Sequence, residues 1–290
     1  MAGFTLTRSR ESFELVGALE ANPDCDRNER LLFGNWRILT QKKTAVDYGN
    51  LAQGEGVLAA ISGTMIFGEE VGVGALGLFL DTYLSDGLSL ARRNAWGHYA
   101  VAIVFEDGRL LVVSDENSDV PVFFREDLDP SGVISTRPEH VAIADRSALP
   151  NAKFLLSSIP GPSGPFTGVR RLAGTEYLEA GRKPGRLQVQ SILRNPADIE
   201  LGSCNSEDEA AERYAQHVET LFSGLRPFGL VGVNTTGGVD TRTVLAGVLA
   251  GGVDPLLMYG KGNSGLTNTL QGDEQLFLKL SESIEIGRAS

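Results

Sequence analysis

The sequence predicts a two-part chain: an α+β domain built on antiparallel sheets, then part of an α/β domain built on parallel strands. Three observations carry that expectation. Two β-rich runs, residues 99–105 and 109–114, flank a short turn containing Asp107-Gly108, the mark of a hairpin. From residue 206 onward, strand-like and helix-like stretches alternate, the rhythm of a parallel sheet. The length of 290 residues favours two domains over one.

In chain order, residues 57–61 (Val-Leu-Ala-Ala-Ile) read as a strand ended by a Ser62-Gly63 turn. Residues 76–95 carry helical spacing through Leu76, Phe79, Leu80, Tyr83, Leu84, Leu88 and Leu90, interrupted at Asp86-Gly87. After the hairpin, residues 120–124 and 133–136 continue the meander. The run Ile159-Pro-Gly-Pro-Ser-Gly-Pro165 is irregular, and short strands follow near 177–178 and 187–190. Residues 1–194 form the first domain, 195–205 a linker and 206–290 the second. Ser206-Glu-Asp-Glu209 reads as a capping box, in which the hydroxyl accepts from the N3 amide and Glu209 reaches back to the cap. Ala210, Tyr214, Val218, Leu221 and Leu225 give the helix that follows one apolar face. Next come a strand at 228–233, a glycine turn, a helix at 242–250, a strand at 255–259, a polar loop at 260–271 and a helix at 273–283.

Composition narrows the function classes. The net charge of −11 opposes a general affinity for nucleic acid or an anionic membrane. Two cysteines, Cys25 and Cys204, give neither a metal spacing nor a disulfide framework, so a cytoplasmic setting is expected. The first residues lack a signal-peptide pattern, and no apolar run approaches the ~18 residues of a membrane span. His98, His140 and His217 are far apart and form no metal-binding pair. His98 is read as a structural histidine of the hairpin core and His217 as solvated. Trp36 and Trp96 are assigned to the N-terminal core, and Asp115-Glu116 to turn chemistry and solvation.

The turn at 234–243, Asn-Thr-Thr-Gly-Gly-Val-Asp-Thr-Arg-Thr, lies between a strand and a helix. A helix N-terminus leaves amides unpaired and partly positive, and glycines let that backbone approach an anion closely. Thr236 and Thr241 add hydroxyl donors. Asp240 would repel phosphate alone, so its presence implies a cation, with Mg²⁺ the usual companion of polyphosphate. Without a lysine, the turn is not a Walker A loop. A second pattern, Gly72-Val-Gly74-Ala-Leu-Gly77, matches G-x-G-x-x-G but lacks a leading strand and an acidic ribose partner, so it reads as a closely packed helix start.

Thr236-Gly237-Gly238-Val239-Asp240-Thr241 resembles the S-G-G-x-D-S pyrophosphate loop of the PP-loop ATP pyrophosphatases. Residues 97–103 with 110–115 and 121–124 resemble the G-x-F-A-F-A…L-x-x-A-R-D…P-L-Y-Y stretch of asparagine synthetases. Residues 164–174 resemble the segment closing that family's first domain, and Gly272-Asp-Glu274 the part after its second PP-loop strand. The resemblance implies an Ntn-hydrolase-like sandwich of two antiparallel sheets, of the class II glutamine amidotransferase kind, followed by a partial PP-loop ATP domain. It also implies an ATP-dependent ligase that activates a small-molecule or peptide carboxylate as an acyl-adenylate and joins it to an amine. ATP and Mg²⁺ would be held by Thr236, Gly237, Gly238, Asp240 and Thr241, with Asp240 on the metal. Met258 and Tyr259 would lie near the adenine.

The chain departs from this pattern in two ways. Where the family places a cysteine after the initiator methionine, this chain has Ala2, which carries no nucleophile. Lys42, Ser62-Gly63 and Asn94 fall where the family has its glutamine-binding arginine, its Asn-Gly and an aspartate. No glutaminase activity is expected, which places the chain nearer the cysteine-lacking branch that includes β-lactam synthetase and lasso-peptide cyclase. The second departure is that only two PP-loop strands precede the end, so a fragment, a homodimer or a completing partner chain is expected. ATP turnover by this chain alone is not expected, and nucleotide binding should be weak or absent. Two alternatives stay open: a non-catalytic pseudoenzyme or assembly partner, and a glutamine-hydrolysing asparagine synthase if Ala2 replaces a native cysteine.

Overall fold

The structure is a computed structural model describing residues 3–19, 28–41, 49–125, 132–144, 149–151, 163–182, 187–192, 204–234, 239–258 and 279. Two compact units make it up: Met1–Phe67 with Gly72–Ile199, and Glu200–Ser290 with Gly68–Val71.

Through residue 191 the elements begin β1 (Gly3–Thr7), α1 (Arg10–Leu19), β2 (Asn28–Phe33), β3 (Trp36–Gln41), β4 (Leu51–Gly54), β5 (Val57–Phe67) and β6 (Glu70–Val71). Then come α2 (Val73–Asp86), α3 (Leu88–Arg93), β7 (Ala95–Phe105), β8 (Leu110–Ser114), β9 (Phe123–Phe124) and β10 (Ile134–Ser135). The series closes with α4 (Pro138–Ala144), β11 (Arg170–Arg171), β12 (Glu176–Ala180) and β13 (Gln188–Ser191). The first unit is mixed α+β and contains two large antiparallel sheets. One runs β11-β9-β10-β1-β3-β2 and the other β13-β12-β8-β7-β5-β4.

Side-chain alternation explains how these sheets stack. Successive residues of a strand face opposite sides. Phe4, Leu6, Trp36 and Ile38 of the first sheet share one buried cluster with Leu58, Ala60, Ala100, Ala102, Val104, Leu110 and Val112 of the second. All are even-numbered. Their odd-numbered neighbours Val57, Ala59, Tyr99, Val101, Ile103, Leu111 and Val113 pack instead on Ala75, Leu76, Phe79 and Leu80 of α2. Behind the first sheet, Leu39 packs with Phe13 and Val16 of α1 and Ile143 of α4. The layers therefore run helix, sheet, sheet, helix. Each fully buried Leu, Ile or Phe in them contributes roughly 1.5–3 kcal/mol.

Polar staples join the two sheets at their ends. Asn50 accepts from the Ile61 amide at 2.8 Å through its backbone carbonyl, and its side-chain amide donates to the Gln41 carbonyl. At the other end, Trp36 Nε1 donates to the Gly108 carbonyl at 3.0 Å. Arg8 lies 4.4 Å over the Trp36 ring and donates to the Gly108 and Gly181 carbonyls and to Asn35 Oδ1.

Several expectations need correction. Ser62-Gly63 is not a turn: β5 runs unbroken for 11 residues, with Ser62 opposite Ala100 and Gly63 opposite Tyr99. Gly63 has φ 91° and Gly97 φ 100°. An added Cβ at Gly63 would collide with the His98 carbonyl, and one at Gly97 with the Thr64 carbonyl. Glycine is thus needed here for close strand approach rather than for reversal. The helical run at 76–95 is divided at Gly87, as expected, into α2 and α3. Trp96 is 39% exposed and not in the core, unlike Trp36 at 1%. Sequence reasoning also passed over β1, α1, α4 and the β2–β3 hairpin, although the last carries a Gly34-Asn35 turn between two strand-like runs.

In the second unit, α5 (Glu207–Ser223) and a 3-10 turn (Arg226–Phe228) lead to β14 (Leu230–Asn234), α6 (Val239–Ala250) and β15 (Asp254–Met258). The two strands are parallel, with Leu230 opposite Asp254 and Asn234 opposite Met258. Val233, Leu245, Val248 and Val253 form the buried cluster, joined by partly buried Phe222, Leu225, Val231 and Leu257. Among the described residues no helix is long and apolar enough to cross a membrane.

Candidate functional site

The capping box at the start of α5 forms with one shift. Ser206 Oγ accepts from the Glu209 amide at 3.1 Å, while the Glu209 carboxylate accepts from the amide of Asn205, one residue before the cap, at 2.8 Å. The Asn205 amide first, and the Arg213 guanidinium after it, hold the Glu209 carboxyl below its ordinary value. Of the apolar face expected on α5, Tyr214 is 60% exposed and Val218 and Leu221 are half-buried; Leu225, two residues past the helix, joins the core with Phe222, which the expected face did not include.

The strand–turn–helix of interest follows. β14 ends at Asn234, and α6 starts at Val239, three residues before the expected helix start. That earlier start places Val239, Asp240 and Thr241 in the first helical turn. Thr243 Oγ1 bonds back to the Val239 carbonyl at 3.1 Å within that turn. The helix stops by backbone geometry. Gly252 takes φ 69°, its amide donates to Leu249 O at 3.0 Å, and the Val253 amide donates to Val248 O at 3.1 Å. These bonds form a Schellman stop, and they turn the chain into β15.

Parallel pairing brings the ends of both strands to one side. Register sets Met258 beside Asn234, at the carboxyl end of the sheet from which the chain leaves for α6. In open α/β sheets that end is where ligands bind. Asp240 is exposed there, Thr241 half-buried and Met258 41% exposed. Thr236, Gly237, Gly238 and Tyr259 lie outside the described residues. Among the described residues no group of three or more His, Cys, Asp or Glu side chains gathers to hold a metal. Of the residues expected to hold phosphate and metal in this turn, the described ones are Asp240 and Thr241, both in the first turn of α6.

Of the residues aligned with the glutamine pocket of the resembled family, Ser62 and Asn94 are among the described residues. Ala2, Cys25 and Lys42 lie outside the described residues. Ser62 is buried within β5, and Asn94 closes α3 through its own amide, which donates to Leu90 O at 3.2 Å. His98 is not a core residue: its side chain is 73% exposed and lies 3.5 Å from Asp119. Asp115 does organise a turn, but buried rather than solvated. Its carboxylate accepts from the amides of Tyr99, Asn117, Asp119 and Val120.

Sequence reasoning missed one buried polar group. Thr5 Oγ1 lies 2.8 Å from both Ser135 Oγ and His140 Nδ1, and all three residues are buried. The alternation Phe4-Thr5-Leu6-Thr7 was the available signal, since it marks a strand with one polar face.

No protein-family model matches the chain, and no curated protein matches it.

Proposed function

We propose that the second unit binds ATP·Mg²⁺ at the turn between β14 and α6, within an asparagine-synthetase-like, ATP-dependent amide-forming ligase without glutaminase activity. The observation that carries this reading is the parallel register of Asn234 with Met258, which sets Asp240, Thr241 and Met258 at the carboxyl end of the sheet. The helix–sheet–sheet–helix layering of the first unit supports an Ntn-hydrolase-like sandwich. Ala2 supplies no nucleophile, so the sandwich serves as scaffold.

In this reading residues 236–241 would hold the phosphates, and Asp240 would hold the Mg²⁺. Met258 and Tyr259 would be the residues near the base. ATP supplies the adenylyl group that turns a carboxylate into a competent acyl donor. The first-turn amides of α6 would supply fixed dipoles for the negative charge of the phosphates.

Calorimetric titration tests the reading. Weak, Mg²⁺-dependent ATP binding is expected, weakened roughly tenfold, about 1.4 kcal/mol, by Asp240→Ala. No heat at millimolar ATP, or equal affinity with and without Mg²⁺, would overturn it. A second reading, a non-catalytic assembly partner, is favoured by the exposed apolar side chains Leu230, Leu256 and Met258 on β14 and β15. It predicts no nucleotide binding at all, so the same titration separates the two.

A further inference from the structure

We draw no further inference here: the strongest candidate, the exposed apolar face of the β14–β15 sheet bearing Leu230, Leu256 and Met258, carries nothing because nothing in the structure shows what covers it.

Discussion

Thr5 shows how much a single hydroxyl can hold. Strand alternation turns it away from Phe4 and Leu6, towards Ser135 on β10 and His140 on α4. Removing it takes one hydrogen bond from Ser135 and one from His140, which keep their bond to each other, at about 0.5–1.5 kcal/mol each. Thr5→Val is therefore expected to lower unfolding stability by roughly 2 kcal/mol, with Thr5→Ser close to the parent. Urea denaturation checks this, and equal midpoints for Val and Ser would contradict it. Tyr99 gives a pH-dependent counterpart. Burial pushes its phenol up to about 12 from an ordinary 10.0, partly opposed by the Arg92 guanidinium. The folded state thus keeps a proton that the unfolded chain releases. Tyr99's contribution is whole below pH 10 and fades as pH rises towards 12. The loss amounts to about 2–3 kcal/mol. Stability measured across that range should fall more steeply for the parent than for Tyr99→Phe, and parallel curves would refute the assignment.

Among the elements, the hairpin at residues 95–114 was legible because Asp107-Gly108 supplies a local turn between β-rich runs. Gly63 was misread for the converse reason. Ser-Gly looks like a turn by itself, and only the pairing of β5 with β7 reveals a glycine held in mid-strand beside the His98 carbonyl. Gly63→Ala places a Cβ against backbone at a positive φ, so it is expected to cost at least ~2 kcal/mol in thermal or chemical unfolding. A turn position would tolerate the change better, so a loss below about 0.5 kcal/mol would favour the turn reading. The β14–α6–β15 series was readable because each element carries its own pattern. Val239 as the true helix start was not, since the Gly-Gly before it and the threonines after it resemble loop residues until the helix forms.

At the scale of the molecule, the two units differ in how much their described residues bury. Among the described residues, the first unit has one cluster between its two sheets and another between the second sheet and α2, with Trp36, Tyr99, Phe4, Phe79 and Phe124 almost fully enclosed. Among the described residues, the cluster of the second encloses Val233, Leu245, Val248 and Val253, and its sheet has two strands. Small cores and two-stranded sheets are marginal in isolation. Residues 1–199 expressed alone should unfold cooperatively and keep the near-ultraviolet signal of Trp36 and Tyr99. Residues 200–290 alone should give a broad, weak transition. A sharp transition in the second fragment would show that its core is larger than this cluster. Local pattern by itself determined the hairpin, the capped α5 and the β-α-β order, because turn chemistry and periodicity act over a few neighbouring residues. Only tertiary structure decided that β1 lies between β10 and β3, that Asp115 is buried while His98 and Trp96 are not, and that Met258 stands beside Asn234. Those outcomes depend on pairings between residues far apart in the chain, which no local sequence pattern encodes.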